Sequence, residues 1–315
     1  MPYVLLLLGF ALLALLIARI GPERLWLAWR QAAKPPIVAV ALVFAGGIFV
    51  RALKWRIFLR ATEHRVPYFA CLRAYVLNAF LGNLTPARGG EMLAPIWLAE
   101  YRVPAATSLA IVVVDRLLDV VAILSLFCLA AWNLGRLVPA ASAAYRHAGF
   151  AAAAIVTGAL LALLIVLARL PWAVARLEKR PGRISARLTA LLRSFQQALT
   201  PLRRRGVLAP NLCLTFASWM FDIATGYLVI RAFLPELGYL DSATATLFAC
   251  VASIASFIPG GIGVGAIGYT MVITLLGYDE KAVASGAVVV TLLTQLTRAA
   301  LAGLLYRRRG AARPD

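Results

Sequence analysis

Ionisable side chains sit inside apolar sequence at several points of this chain, and their types suggest recognition of a charged group. The run Asn83, Leu84, Thr85, Pro86, Ala87, Arg88, Gly89, Gly90, Glu91 is the first. Arg88 offers a planar fork of donors that suits a phosphate or carboxylate. Glu91 can pair with it or accept from a cationic headgroup. Gly89 and Gly90 let the backbone approach a ligand closely. A short helix after Gly90 would turn its positive end toward the same point. The plainer reading, an Arg88–Glu91 pair that pins a turn, is compatible with this.

Asp115, Arg116 and Asp119 follow. The two aspartates are four residues apart and share a helical face, and Arg116 beside them can reach Glu91 or a headgroup. A structural ion-pair cluster and a proton-coupled set of carboxylates both fit. Further on, Asp222 lies between Trp219 and Tyr227, and Arg298 shares a face with Thr294 and Gln295. Asp222 and Arg298 could pair across helices, either as structural glue or as part of the site. Gly260 and Gly261 mark a second glycine-rich break, where the backbone can border a ligand. Arg51, Lys54 and Arg56 close another apolar run, either snorkelling to the cytoplasmic interface or binding a lipid phosphate there.

The elements that carry these groups are membrane helices. Of 315 residues, 62% are hydrophobic and 14% charged, against about 45–50% and 25% for a soluble domain. The net charge of +19 comes from basic residues between apolar runs. It therefore points to anionic inner-leaflet lipids and not to nucleic acid. The four cysteines lie singly in apolar runs, and His64 and His147 stand far apart. No metal-ligand spacing and no nucleotide-binding glycine motif appears, so no cofactor is expected.

The expected fold is all-α: six spanning helices and two re-entrant hairpins. The spans are Tyr3–Ala18, Ile37–Leu59, Ala105–Ala131, Gly149–Ala168, Val207–Leu234 and Ala282–Tyr306. The stretches Tyr68–Gly82 and Ser242–Phe257 each run into a Pro/Gly break and return. Ser242–Phe257 covers about 24 Å and its return leg Val264–Gly277 about 21 Å, both short of a ~30 Å hydrocarbon core. Broken backbone at that depth must be buried in protein or line a cavity.

Lys and Arg set the sidedness. Arg169–Arg205 holds ten of them with one acid, Glu178, and the tail adds Arg307, Arg308, Arg309 and Arg313. Both are placed in the cytoplasm, with both termini. Arg19, Arg24, Arg30 and Lys34 conflict with this, and Pro22–Ala33 reads as an interfacial helix. Trp172–Arg205 reads as a basic amphipathic helix on the inner leaflet, within a cytoplasmic segment 170–206. The order span, span, hairpin, span then occurs twice, in 1–148 and 149–315, the pattern of inverted repeats with a substrate site between broken helices. Gly46–Gly47 and Gly226 suit close helix contacts, within one chain or in a homo-oligomer.

Taken in order, the stretches Arg51 to Trp55, Asn83 to Glu91, Val114 to Asp119 and Phe257 to Val264 resemble a known family. It is the flippase-like membrane domain of the lysylphosphatidylglycerol synthase (multiple peptide resistance factor) family, as a stand-alone member. The family's Pro-Gly-Arg-x-Gly-Glu element corresponds to Pro86–Glu91, with Arg88 and Glu91 matching. Its Asp-Arg-x-x-Asp corresponds to Asp115, Arg116 and Asp119. The resemblance implies translocation of a polar lipid in a bacterial inner membrane: a phospholipid, an aminoacyl lipid or a polyprenyl-linked lipid. Where the family usually has an acid after its second Gly-Val, this chain reads Gly265–Ala266, which suggests another headgroup. The stretch 171–206 is too short for an aminoacyl-transfer fold, so no enzyme activity is expected. A lipid-modifying transferase and an ion-coupled exporter of a soluble solute are the rival readings.

Overall fold

The computed structural model describes residues 34–137, 142–179, 183–261 and 263–307, with isolated positions between 14 and 30. The expected first span, the interfacial helix Pro22–Ala33 and the arginines after position 307 lie wholly or mostly outside the described residues. Within them, every regular element is a helix.

The helices are α1 Lys34–Ala61, α2 Tyr68–Leu84, α3 Ala94–Leu98, α4 Ala105–Leu137, α5 Ser142–Glu178, α6 Arg183–Leu202, α7 Arg205–Arg231, α8 Tyr239–Ala255, α9 Val264–Leu275 and α10 Glu280–Arg307. Three of the described segments, Ala153–Glu178, Arg205–Arg231 and Glu280–Tyr306, are long and apolar enough to cross a membrane. Two others, α1 and α4, have 28 and 33 residues; α1 carries Arg51, Lys54, Arg56 and Arg60 in its C-terminal half, and α4 carries Asp115, Arg116 and Asp119 before its middle.

The two Pro/Gly stretches are true breaks. A 3-10 turn, Pro86–Leu93, follows α2 and leads into the five-residue α3. A shorter 3-10 turn, Pro259–Gly261, separates α8 from the 12-residue α9. Each break holds a non-glycine residue in left-handed backbone, Arg88 at φ 57° and Phe257 at φ 55°. Such a residue costs about 1–3 kcal/mol and persists only where its surroundings fix it. Here the surroundings include the other break: the 259–261 turn packs against α2 and against the 86–93 turn.

Close packing also explains several glycines. A Cβ on Gly90 would land on the Leu81 carbonyl, and one on Gly82 would come within 2.5 Å of Glu91 Cγ. The packing of α1 along α7 is seated by Gly46 and Gly47, whose Cβ positions would lie 2.8 and 3.0 Å from Phe221. These glycines serve a contact within the chain, as small residues do between membrane helices.

Pro171 lies inside α5, which continues to Glu178. The expected single helix over Trp172–Arg205 is therefore two elements. The ion pair Arg193–Glu178 ties α6 back to α5. Ala198, Leu199 and Leu202 of α6 are buried in the same core as Phe58, Leu98 and Ile111. Much of its apolar stripe thus faces protein, and Leu188 and Leu191 remain exposed.

Candidate functional site

A cavity of about 530 Å³ opens where the two breaks meet. Its walls differ in chemistry. From α1, α2, α4, α7 and α10 come Arg51, Asn83, Arg116, Asp119, Asp222, Gln295 and Arg298, set among apolar residues such as Phe44, Ile48, Val120 and Val290, and the first break adds Arg88. From α5 come only Ile155, Val156, Leu160 and Leu163. The second break contributes Phe257, Ile258, Gly260 and Gly261, so at the two glycines the backbone itself borders the space. Gly261 is held at φ +63°, and a Cβ on it would come within 2.5 Å of Ser253 Cβ.

One network spans α1, the first break and α4. Arg88 Nε lies 2.8 Å from Glu91 Oε1, and Glu91 Oε2 lies 3.2 Å from Arg116 Nε. Arg116 Nη2 is 2.9 Å from Asp115 Oδ2 and 3.0 Å from Asp119 Oδ2. Lys54 Nζ closes the network at 2.7 Å from Asp115 Oδ1 and 3.3 Å from Asp119 Oδ1. Trp55 Nε1 donates to Asp115 Oδ2 at 3.3 Å, and its ring meets Tyr75 edge-on. Three cations face three carboxylates. Glu91, Asp115 and Lys54 are buried and stand behind the wall, whereas Arg88, Arg116 and Asp119 reach the cavity. Unpaired charges here would be costly.

The sequence-predicted residues are brought together, with three corrections. Asp222 pairs with Arg51 and not with Arg298. The reason is the glycine seat: α7 lies so close to α1 that Asp222, next to Phe221, meets the Arg51 guanidinium. Arg298 instead stands over the Phe44 ring at 5.1 Å, a cation–π contact. Lys54 does not snorkel to an interface, since it is fully buried in the network. The residues after Gly90 form a 3-10 turn and a five-residue helix, too short to add up an aligned dipole, so the first break aims no such helix end at the cavity. Trp55 and Tyr75 were not among the expected site residues, and Arg51 and Lys54 were expected at an interface, not at the cavity and the network behind it.

Two polar atoms on the cavity wall are left over. Trp219 Nε1 and Asn83 Nδ2 have no hydrogen-bond partner among the described residues. No group of three or more His, Cys, Asp or Glu suited to a metal occurs among the described residues, and the four cysteines are free.

The chain matches the family described as the lysylphosphatidylglycerol synthase TM region over residues 4–302. It is 25% identical over 313 residues to a UPF0104 membrane protein of Pyrococcus horikoshii, covering 93% of this chain and 92% of that one. It is 26% identical over 284 residues to a UPF0104 membrane protein of Methanothermobacter thermautotrophicus, covering 82% and 81%. No solved structure matches it. The chain, helical throughout its described residues, therefore belongs to the membrane-protein family of the lysylphosphatidylglycerol synthase TM region.

Proposed function

We propose that the protein is a lipid translocase of a plasma membrane, taking a lipid headgroup through the cavity while the acyl chains stay in the bilayer. The observation that carries this reading is the mixed lining of the cavity. A cluster of arginines and aspartates from α1, α4, α7 and α10 is set in a lining that is otherwise largely apolar, to which α5 adds apolar side chains alone. An amphiphile fits such a wall at both ends, whereas a soluble solute has no use for its apolar part. On this reading α2 with α3, and α8 with α9, are re-entrant hairpins that enter from opposite faces. Residues 1–148 and 149–315 are inverted repeats, and both termini are cytoplasmic. Rocking one repeat against the other exposes the cavity to each leaflet in turn.

The test is reconstitution into vesicles of phosphatidylcholine and phosphatidylglycerol carrying a trace of fluorescent phospholipid. A membrane-impermeant reductant then reports the fraction of label reached from outside. The protein should move label out of the inner leaflet, and Arg88→Ala, at a half-exposed position, should slow that movement while the protein stays folded. Empty vesicles matching protein-containing ones would overturn the reading. Chemical turnover of the lipid in detergent would favour a transferase.

A further inference from the structure

The charges of the cavity do not balance, and the sign of the imbalance selects a headgroup. Each of the carboxylates Glu91, Asp115, Asp119 and Asp222 lies within ion-pair distance of a protein cation. Lys54, Arg51, Arg88 and Arg116 are the cations that hold them. Arg298 is left over. It borders the cavity, and among the described residues no carboxylate comes within 4 Å of it.

A second observation points the same way. Trp219 Nε1, on the cavity wall, is a donor only and lacks an acceptor among the described residues. The side chain of Arg88 is 44% exposed with one acidic partner, Glu91, so its remaining donors are open to the cavity. The second hairpin supplies no acid on its cavity side, where Gly260, Gly261 and Gly265 stand. An entering amine would have to take a carboxylate from a buried ion pair, and breaking such a pair exposes an uncompensated charge. An entering anion finds a guanidinium and donors already in place.

We infer that this cavity takes an anionic phosphate headgroup that carries no amine, held by Arg298 and Arg88, and that it discriminates against aminoacylated phospholipids. This rests on the proposed lipid function and narrows its substrate class. The distinguishing geometry is the juxtaposition of four neutralised carboxylates with the unpaired Arg298.

Binding to the full chain in dodecyl maltoside, followed by its thermal stability, tests this with three probes. They are dihexanoyl phosphatidylglycerol, its lysyl ester and glycerol 3-phosphate. The glycerol lipid should bind at least about tenfold more tightly than its lysyl ester. Arg298→Gln should weaken the glycerol lipid about tenfold or more, as expected for loss of a charged hydrogen bond. Arg298→Lys keeps the charge and should recover part of the affinity. That recovery separates loss of the site from loss of the fold, because both variants remove the guanidinium over Phe44. Equal or tighter binding of the lysyl ester would overturn the inference and leave the lipid reading standing. Glycerol 3-phosphate binding as tightly as the lipid would keep the anion site and overturn the lipid reading. No binding by any probe would overturn both.

Discussion

Lys54 Nζ lies 2.7 Å from Asp115 Oδ1, with the two side chains 1% and 3% exposed. This pair joins α1 to α4 behind the cavity wall, and Asp119 and Arg116 are bonded to it in turn. Removing one member leaves the other charge buried, which costs about 3–5 kcal/mol. Lys54→Met and Asp115→Leu should each lower the melting temperature in detergent sharply. The double replacement should lose less than the sum of the two. Single variants that melt with the wild type would show that the pair does not form.

Gly89 and Gly90 are adjacent but not equivalent. Nothing lies within 4 Å of a Cβ on Gly89, whereas a Cβ on Gly90 meets the Leu81 backbone. Gly89→Ala should be tolerated. Gly90→Ala should push the turn off α2, at a cost of about 1–3 kcal/mol or more, and so displace Glu91 from Arg116. Monodispersity and thermal stability of the two variants, side by side, check this. Equal behaviour would contradict the packing of the first break.

Arg51 and Asp222 are bonded across α1 and α7, with one oxygen–nitrogen contact at 3.3 Å. Asp222→Ala should destabilise the protein and slow lipid movement, because it leaves Arg51 facing the cavity without a partner. The exchange Arg51→Asp with Asp222→Arg should recover stability that either single replacement loses. A double variant no better than the worse single one would argue against the pair.

The helical class, the positions of both breaks and most of the cavity's ionisable groups were legible from residue type and spacing. Arg88, Glu91, Arg116, Asp115 and Asp119 stand out because charge in apolar sequence must be compensated. Their mutual contacts followed from i, i+3 and i, i+4 spacing and from the break between two helices. The partner of Asp222 was not legible. It depends on how deeply α7 settles onto α1, which two glycines opposite Phe221 decide. Lys54 was missed because it ends an apolar run, where a lysine commonly reaches for an interface. A count of charges held the missing signal: four acids in apolar sequence need several cations, and Arg88 and Arg116 beside them are too few, so Arg51 and Lys54 had to come in. The depth of α6 was likewise hidden, since an amphipathic stripe looks the same whether it meets lipid or protein.

Two positions on α10 test the central claim most directly. Thr291 borders the cavity, and Leu296, 68% exposed, stands on the outside of the same helix. The transbilayer movement of a fluorescent phospholipid in proteoliposomes should be compared for Thr291→Trp and Leu296→Trp. If the headgroup passes through the cavity, Thr291→Trp should slow movement at least about tenfold, and Leu296→Trp should match the wild type. Equal rates in the two variants would contradict passage through the cavity.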